Sequence, residues 1–279
     1  MLYAPKPGTA SPARRHASHK GSYGDVLVIG GQGLSANGVA MGGAALLAAR
    51  AAIRTGAGRV FLSLLEEHLP ESIFDPQQPE LMFRTLGAAK RDSLMRRGAV
   101  VCGCGGGEAL VPALPTVLAD AQTLVLDADA LNAVAADARL QMGLTERHTS
   151  NRTTVITPHP LEAARLLGCS TQQVMSDRTH AATELSQRFG VICVLKGSGT
   201  VISAPGERPA INASGNAALA TAGTGDVLAG MLGAALAISG GGTSAHSATL
   251  NSVFEHGRLA DEWVQAHGNR PLTADWLTR

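Results

Sequence analysis

The run TTVITPHPLEAARLLGCSTQQVMSDRTHAATELSQRFGVICVL, Thr153 to Leu195, decides the fold. Its two ends, Thr153–Ile156 and Val191–Leu195, are short and almost continuously apolar, which is how strands buried on both faces read. Between them, Leu161–Leu167 and Arg178–Phe189 carry helical periodicity. Two buried strands joined through helices imply parallel pairing, with helices packed over the sheet.

The same rhythm continues outward. Val26–Ile29, Val60–Leu65, Ala99–Cys102 and Thr123–Leu126 are further buried strands, and Ala44–Thr55 is a helix that places Arg50 and Arg54 together at i, i+4. After Leu195 the pattern changes. Thr200–Ser203 and Pro209–Ile211 flank the turn residues Ala204-Pro205-Gly206-Glu207 and predict a hairpin. Two Ala-rich helical patterns follow, Asp226–Ile238 and Ala245–His267, with Gly240-Gly241-Gly242 as the break between them. The expected architecture is a doubly wound α/β sandwich: a mostly parallel central sheet with helices on both faces. Residues 1–19, with Pro5, Pro7 and Pro12, read as a flexible or surface-draped lead-in, and 20–279 as one domain.

Composition narrows the function. The chain has 279 residues, 33 of them Gly, with two Trp, two Tyr and five Phe, and 16% charged residues against about 25% in ordinary domains. A net charge of +1 offers no field to draw in nucleic acid or an acidic membrane. No secretory h-region is present, and the longest weakly polar run, Val227–Gly242, is too short to span a bilayer. Cys102, Cys104, Cys169 and Cys193 lack metal or redox spacing and read as reduced thiols in a cytoplasmic protein.

The strongest chemical signal is Asn216-Ala217-Ala218-Leu219-Ala220-Thr221-Ala222-Gly223-Thr224-Gly225-Asp226, a loop of small residues that runs straight into a helix. Such a loop presents amides at a helix N-terminus, where an anion is favoured. Asp226 there is either a first-turn carboxylate or a base beside an anion hole made of Gly223, Thr224, Gly225 and Asp226, and the flanking glycines favour the base. Lys196-Gly197-Ser198-Gly199-Thr200 follows a strand and offers a cation, two hydroxyls and close backbone approach. It suits a nucleotide phosphate or ribose, and an ordinary tight turn fits it equally well. Gly103–Gly107, Asp127–Asn132 and Thr157–Pro160 also end strands, so in a parallel sheet all these loops meet at one crevice. Gly30-Gly31-Gln32-Gly33 fails the G-x-G-x-x-G spacing of dinucleotide folds. Zinc-peptidase, α/β-hydrolase and P-loop motifs are missing, and the remaining histidines, His256 among them, are assigned to surface or packing.

Taken together, these motifs resemble the ADP-dependent NAD(P)H-hydrate dehydratase family of the ribokinase-like superfamily, from about His19 to the C-terminus. The resemblance rests on His19-Lys20-Gly21-Ser22-Tyr23-Gly24-Asp25 with Val26–Gly31, on Gly43-Ala44, and on Thr55-Gly56-Ala57-Gly58. It continues through Thr157-Pro158-His159-Pro160-Leu161-Glu162, Leu195-Lys196-Gly197 with Thr200, and Gly223-Thr224-Gly225-Asp226.

The resemblance implies a ribokinase-like three-layer sandwich. It implies a carbon-oxygen lyase that restores the S epimer of hydrated NADH or NADPH (NADHX, NADPHX) at the expense of ADP, releasing AMP and phosphate. Carried over by motif, Ala44, Gly105, His159 and Asp226 would contact the hydrated dinucleotide, and Lys196, Gly197, Ser198, Gly199, Thr200 and Gly225 the AMP moiety. Mg²⁺ is expected as cofactor, its protein ligands unassigned and held mainly by nucleotide and water. A homotetramer and a separate epimerase as pathway partner are also expected. Two departures stand out. Cys104 occupies a position where the family usually has Pro, and Ala217-Ala218 replaces a common Pro-Gly, which bears on loop rigidity. Local chemistry alone leaves ADP against ATP and NADHX against NADPHX open. It is also compatible with a small-molecule kinase of the superfamily, of hydroxymethylpyrimidine or hydroxyethylthiazole type, or with an ADP-sensing module that does not turn over.

Overall fold

The structure, a computed structural model, describes residues 1–5, 16–35, 38–66, 73–239 and 245–279. The strands are β1 (Leu2–Tyr3), β2 (Asp25–Gln32), β3 (Arg59–Leu65), β4 (Met82–Phe83), β5 (Ala99–Cys102), β6 (Thr123–Leu126), β7 (Thr153–Ile156), β8 (Ile192–Leu195), β9 (Val201–Ser203) and β10 (Ala210–Asn212). The helices are α1 (Gly42–Thr55), α2 (Leu86–Arg91), α3 (Leu94–Arg97), α4 (Leu114–Asp120), α5 (Asp129–Ala136), α6 (Ala138–Thr149), α7 (Pro160–Leu167), α8 (Thr171–Ser176), α9 (Arg178–Phe189), α10 (Thr224–Ile238) and α11 (Ala245–His267).

The ten strands form one sheet in the order β1-β10-β9-β8-β7-β6-β5-β2-β3-β4, parallel except where β9 runs antiparallel to both β8 and β10. The expected hairpin is therefore present, with Ile202 opposite Ala210 and Val201 opposite Ile211. Alternation along β2 explains the layers. Leu27 and Ile29 face a core shared with α2 to α9, whereas Val26 and Val28 face one shared with α1, α10 and α11. This is the three-layer sandwich predicted from the rhythm of the sequence.

Small residues set the spacing of the second layer. A Cβ on Gly230 of α10 would lie 2.0 Å from the Ala48 carbonyl oxygen of α1, so the two helix backbones touch directly. On the other face Arg147 of α6 is fully buried and forms no ion pair with an acid among the described residues. Its guanidinium donates to the carbonyls of Leu118, Ala121 and Thr153 and to the Thr154 hydroxyl, satisfying backbone acceptors beside the end of α4.

The first residues of the expected flexible or surface-draped lead-in form an edge strand. Leu2 and Tyr3 pair parallel with Ile211 and Asn212, and the Tyr3 hydroxyl donates to Asn251 Oδ1 at 2.5 Å. The β10 edge supplies the acceptors and donors that make even a two-residue strand worthwhile. The proline-rich part of that segment, residues 6–15, and the Gly240–Gly242 break lie outside the described residues. Helices α2 to α6 and α8 and the short strands β1 and β4 are elements that periodicity did not single out. No helix among the described residues is long and apolar enough to cross a membrane.

Candidate functional site

The loops after β2, β5, β6, β7 and β8 meet at the carboxyl edge of the sheet, facing the N-terminus of α10. Backbone hydrogen bonds stitch them together: Gly31 N to Cys104 O, Gln32 N to Gly105 O, Asp127 N to Cys102 O, and Lys196 N to Pro158 O. Gly103 makes the closest approach. It adopts φ +124, and a Cβ there would lie 1.9 Å from the Asp127 carbonyl oxygen, which only glycine permits. Ala128, between Asp127 and Asp129, sits at φ 47 and ψ −112, a strained position for a residue with a Cβ.

Asp127 is the hub. Its Oδ1 accepts from Lys196 Nζ at 2.6 Å and from the Thr157 hydroxyl at 2.6 Å, and its Oδ2 lies 4.0 Å from Cys104 Sγ. Asp226, in the first turn of α10, completes the cluster: one ligand atom each of Cys104, Asp127 and Asp226 lies within 4.8 Å of the others. Burial, followed by the charge of Asp127, pushes the Asp226 carboxyl up to about 6. Burial opposes the charge on Lys196, but Asp127 and Glu162 outweigh it and hold its pKa above the ordinary lysine value. Burial likewise raises Glu162, behind Lys196, and with the two carboxylates it pushes the Cys104 thiol well above its usual range.

The residues singled out from sequence fall around this cluster. Gly225 lies against Lys196: a Cβ on Gly225 would be 3.5 Å from Nζ. Gly105 lies against Ala44, with 2.8 Å between a would-be Cβ and that of Ala44. Gly223 takes φ +91 and starts α10, the Thr224 hydroxyl turns back to the Leu219 carbonyl at 2.8 Å, and the amides of Gly225 and Asp226 open a turn with no intrahelical acceptors. Gly197, Ser198, Gly199 and Thr200 form the turn from β8 to β9, where the Thr200 hydroxyl donates to the Gly197 carbonyl at 3.1 Å.

His159 has a structural job of its own. Its Nδ1 accepts from the Leu161 and Glu162 amides and caps α7, while Glu162 Oε2 accepts from His159 N at 2.8 Å. Its Nε2 lies 3.3 Å from Glu162 Oε1, and the ring stays partly exposed at the crevice.

Sequence alone gives Asp127, Thr157 and Arg178 no role of their own and places His256 among the surface or packing histidines. Arg178, the first residue of α9, donates to the Ser198 carbonyl at 2.5 Å and the Leu195 carbonyl at 3.1 Å, bracing the Lys196 loop. His256 is buried, and burial pushes its pKa down to about 4. Its Nε2 lies 2.9 Å from the Thr224 carbonyl, which can only accept, so Nε2 carries the proton. A buried Asp at a strand's carboxyl end was a visible signal for Asp127. Nothing local marks Arg178 or His256.

The Cys104, Asp127 and Asp226 cluster contains a soft thiol, and its central carboxylate is occupied by the Lys196 ammonium, so it does not make the oxygen cage that Mg²⁺ requires.

A family model described as NAD(P)H-hydrate dehydratase matches residues 26–278. The chain belongs to the NAD(P)H-hydrate dehydratase family. It is 38% identical over 258 residues to the ADP-dependent (S)-NAD(P)H-hydrate dehydratase of Neisseria meningitidis serogroup B, covering 92% of this chain and 82% of that one. It is 39% identical to the bifunctional NAD(P)H-hydrate repair enzyme Nnr of Escherichia coli over 94% of this chain and 47% of that enzyme, and so spans about half of that relative's length. Among solved structures of the family, the ADP/ATP-dependent NAD(P)H-hydrate dehydratase of Bacillus subtilis, co-crystallised with ATP and Mg²⁺, superposes with TM-score 0.76. It is 31% identical, over 96% of this chain and 91% of that one. A ribokinase-like superfamily protein of Enterococcus faecalis, 23% identical with TM-score 0.72 over 95% of this chain and 87% of that one, shares the fold. The ribokinase-like sandwich of the NAD(P)H-hydrate dehydratases is thus the architecture of this chain.

Proposed function

We propose that the protein is an ADP-dependent (S)-NAD(P)H-hydrate dehydratase, a carbon-oxygen lyase that repairs NADHX and NADPHX. The observation that carries this reading is Asp226: a carboxyl poised at about 6, in the first turn of α10, beside Lys196 and Asp127. A base of that strength is largely ionised near neutral pH yet basic enough to accept a hydroxyl proton.

The chemistry follows from the placement. The ring hydroxyl of the hydrate gives its proton to Asp226 as its oxygen attacks the β-phosphorus of ADP, and AMP leaves. The amides of Gly223 to Asp226 and the Lys196 ammonium stabilise the charge on the transferring phosphoryl group. Phosphate, unlike hydroxide, is a good leaving group. The ring nitrogen lone pair expels it, a proton departs from the neighbouring ring carbon, and the dihydronicotinamide is restored. Lys196, Gly197, Ser198, Gly199, Thr200 and Gly225 are proposed to hold the AMP moiety, and Ala44, Gly105, His159 and Asp226 the hydrate.

Mg²⁺ would travel with the nucleotide phosphates, and no step here is assigned to it. An epimerase activity is the proposed pathway partner, a reducing cytoplasm suits the four free cysteines, and a homotetramer is the proposed assembly, readable by light scattering.

The test is incubation of the S hydrate of NADH with ADP or ATP, following recovery of reduced-nicotinamide absorbance and release of phosphate. Recovery with stoichiometric AMP is expected with ADP. A stable phosphorylated alcohol without phosphate release would assign the site to a kinase, and nucleotide binding without any turnover would sink the enzyme reading.

A further inference from the structure

The turn proposed to hold the AMP moiety rests on a cation that pairs with no acid among the described residues. Arg178, the first residue of α9, lies against Gly197: a Cβ on that glycine would be 2.9 Å from Nη2, and Gly197 takes φ +139. Nη1 donates to the Ser198 carbonyl at 2.5 Å, and Nη2 to the carbonyls of Leu195 and Lys196 at 3.1 and 3.3 Å. Nε is buried and has no hydrogen-bond partner among the described residues. These acceptors are all neutral, and burial lowers the Arg178 pKa with no acid to raise it. The N-terminus of a helix disfavours a cation as well, so the charge also stands against the dipole of α9. Lys196, the other cation of the turn, is different, since its ammonium lies 2.6 Å from Asp127 Oδ1 and is already matched. The three carbonyls drawn onto Arg178 leave the amides of the turn to face another partner, and among the described residues Gly197, Ser198 and Gly199 donate to no backbone acceptor.

We propose that Arg178 is a positioning residue for the nucleotide: its guanidinium holds the carbonyls of Leu195, Lys196 and Ser198 away from the ligand and supplies the unmatched positive charge that draws a nucleotide phosphate onto the Gly197–Gly199 amides. This rests on the proposed nucleotide site, and it makes phosphate, rather than ribose or base, the group that the turn grips. A guanidinium with three neutral acceptors keeps its full charge, and a phosphate on the far side of a one-residue-thick turn is close enough to feel it.

The substitutions are Arg178→Gln, which keeps an N–H donor for the carbonyls and removes the charge, and Arg178→Lys, which keeps the charge and removes the fork. Binding of ADP, AMP and adenosine to the full chain, without hydrate, is measured by calorimetry and ligand-detected NMR. Arg178→Gln should weaken ADP and AMP by about tenfold and leave adenosine within about twofold of wild type. In turnover, KM for ADP should rise by about the same factor, with little change in kcat or in KM for the hydrate. Arg178→Lys should recover most of the AMP affinity. A brace with no electrostatic part in binding would weaken all three ligands together or none, and either result overturns the inference. If Arg178→Gln does not fold, Arg178→Lys decides, since equal loss of AMP and adenosine from that folded variant overturns it too. Loss confined to the phosphorylated ligands, in a protein that never restores the hydrate, keeps Arg178 in its role and overturns the dehydratase reading. Turnover by wild type together with unchanged AMP binding in Arg178→Gln does the reverse.

Discussion

Replacing Asp226 by Asn should stabilise the protein while ending its activity. The folded site raises the carboxyl from an ordinary 3.8 to about 6, chiefly through burial and then through the Asp127 charge. Ionising it in the folded state therefore costs about 3 kcal/mol, which partial exposure trims to roughly 1–3 kcal/mol. Because the folded value lies above the unfolded one, this group's contribution to stability is fully present below 3.8 and is lost as pH climbs through about 6. Wild type carries the whole penalty above about pH 7, and Asn carries none. For a chain of 279 residues that difference is about 2–5 °C in Tm. The assay is thermal unfolding of both proteins without nucleotide, in a buffer series from about pH 4 to 8. The gap between their Tm values should shrink to a small remainder near pH 4 and reach its plateau above about pH 7. An Asn protein no more stable than wild type at neutral pH, or a gap that ignores pH, would refute the claim that the fold holds this carboxylate against its own preference.

Other substitutions probe the frame around it. Gly230→Ala puts a methyl 2.0 Å from the Ala48 carbonyl where ordinary contact begins at 3.4 Å, so α1 and α10 must part by roughly 1.4 Å. A loss of about 3 kcal/mol in denaturant unfolding is expected, and an unchanged midpoint would contradict the close helix approach. Arg147→Met takes the Arg147 donor from the carbonyls of Ala121 and Thr153 and leaves Leu118 only the 3.5 Å bond from Arg152, and should cost about 3 kcal/mol. A fall in Tm of less than about 2 °C would mean that those acceptors find other partners. Lys196→Met leaves Asp127 without its cation, so kcat/KM for dehydration should drop at least about 100-fold and the acid limb should rise by about one unit. A limb that stays in place would detach Lys196 from the ionisation of Asp226.

The strands that build the site were legible because a parallel sheet demands near-continuous apolar runs, and Val26–Ile29, Ala99–Cys102 and Thr123–Leu126 are such runs. The small-residue loop before α10 was legible for a different reason, since Gly223-Thr224-Gly225-Asp226 has little to do except bring backbone close to something. Asp127 belongs to a strand-ending motif, but its partnership with Lys196 spans 69 residues, and no local pattern encodes a contact at that distance. His256 illustrates the limit from the other side. A neutral buried histidine looks like packing, and it is packing, yet its proton fixes the carbonyl two residues before Asp226. Asp129 reads as a helix cap in sequence. In the fold it opens α5 and spends its carboxylate on the Gly107 amide at 2.9 Å, because Ala128 takes the capping position in a strained conformation.

The strand order has a consequence for how the molecule comes into being. β1 has no seat until β10 exists, since among the described residues Leu2 and Tyr3 pair with Ile211 and Asn212 alone. β2 waits in turn for β5 on one of its sides, and α1 for α10, which the ribosome delivers after more than half the chain has emerged. Emerging chains at a few residues per second would thus expose the apolar face of α1 and the open edge of β2 for seconds before their partners arrive. The carboxylate at the start of α10 comes later than the rest of its cluster, so the crevice is completed only once α10 has docked against α1.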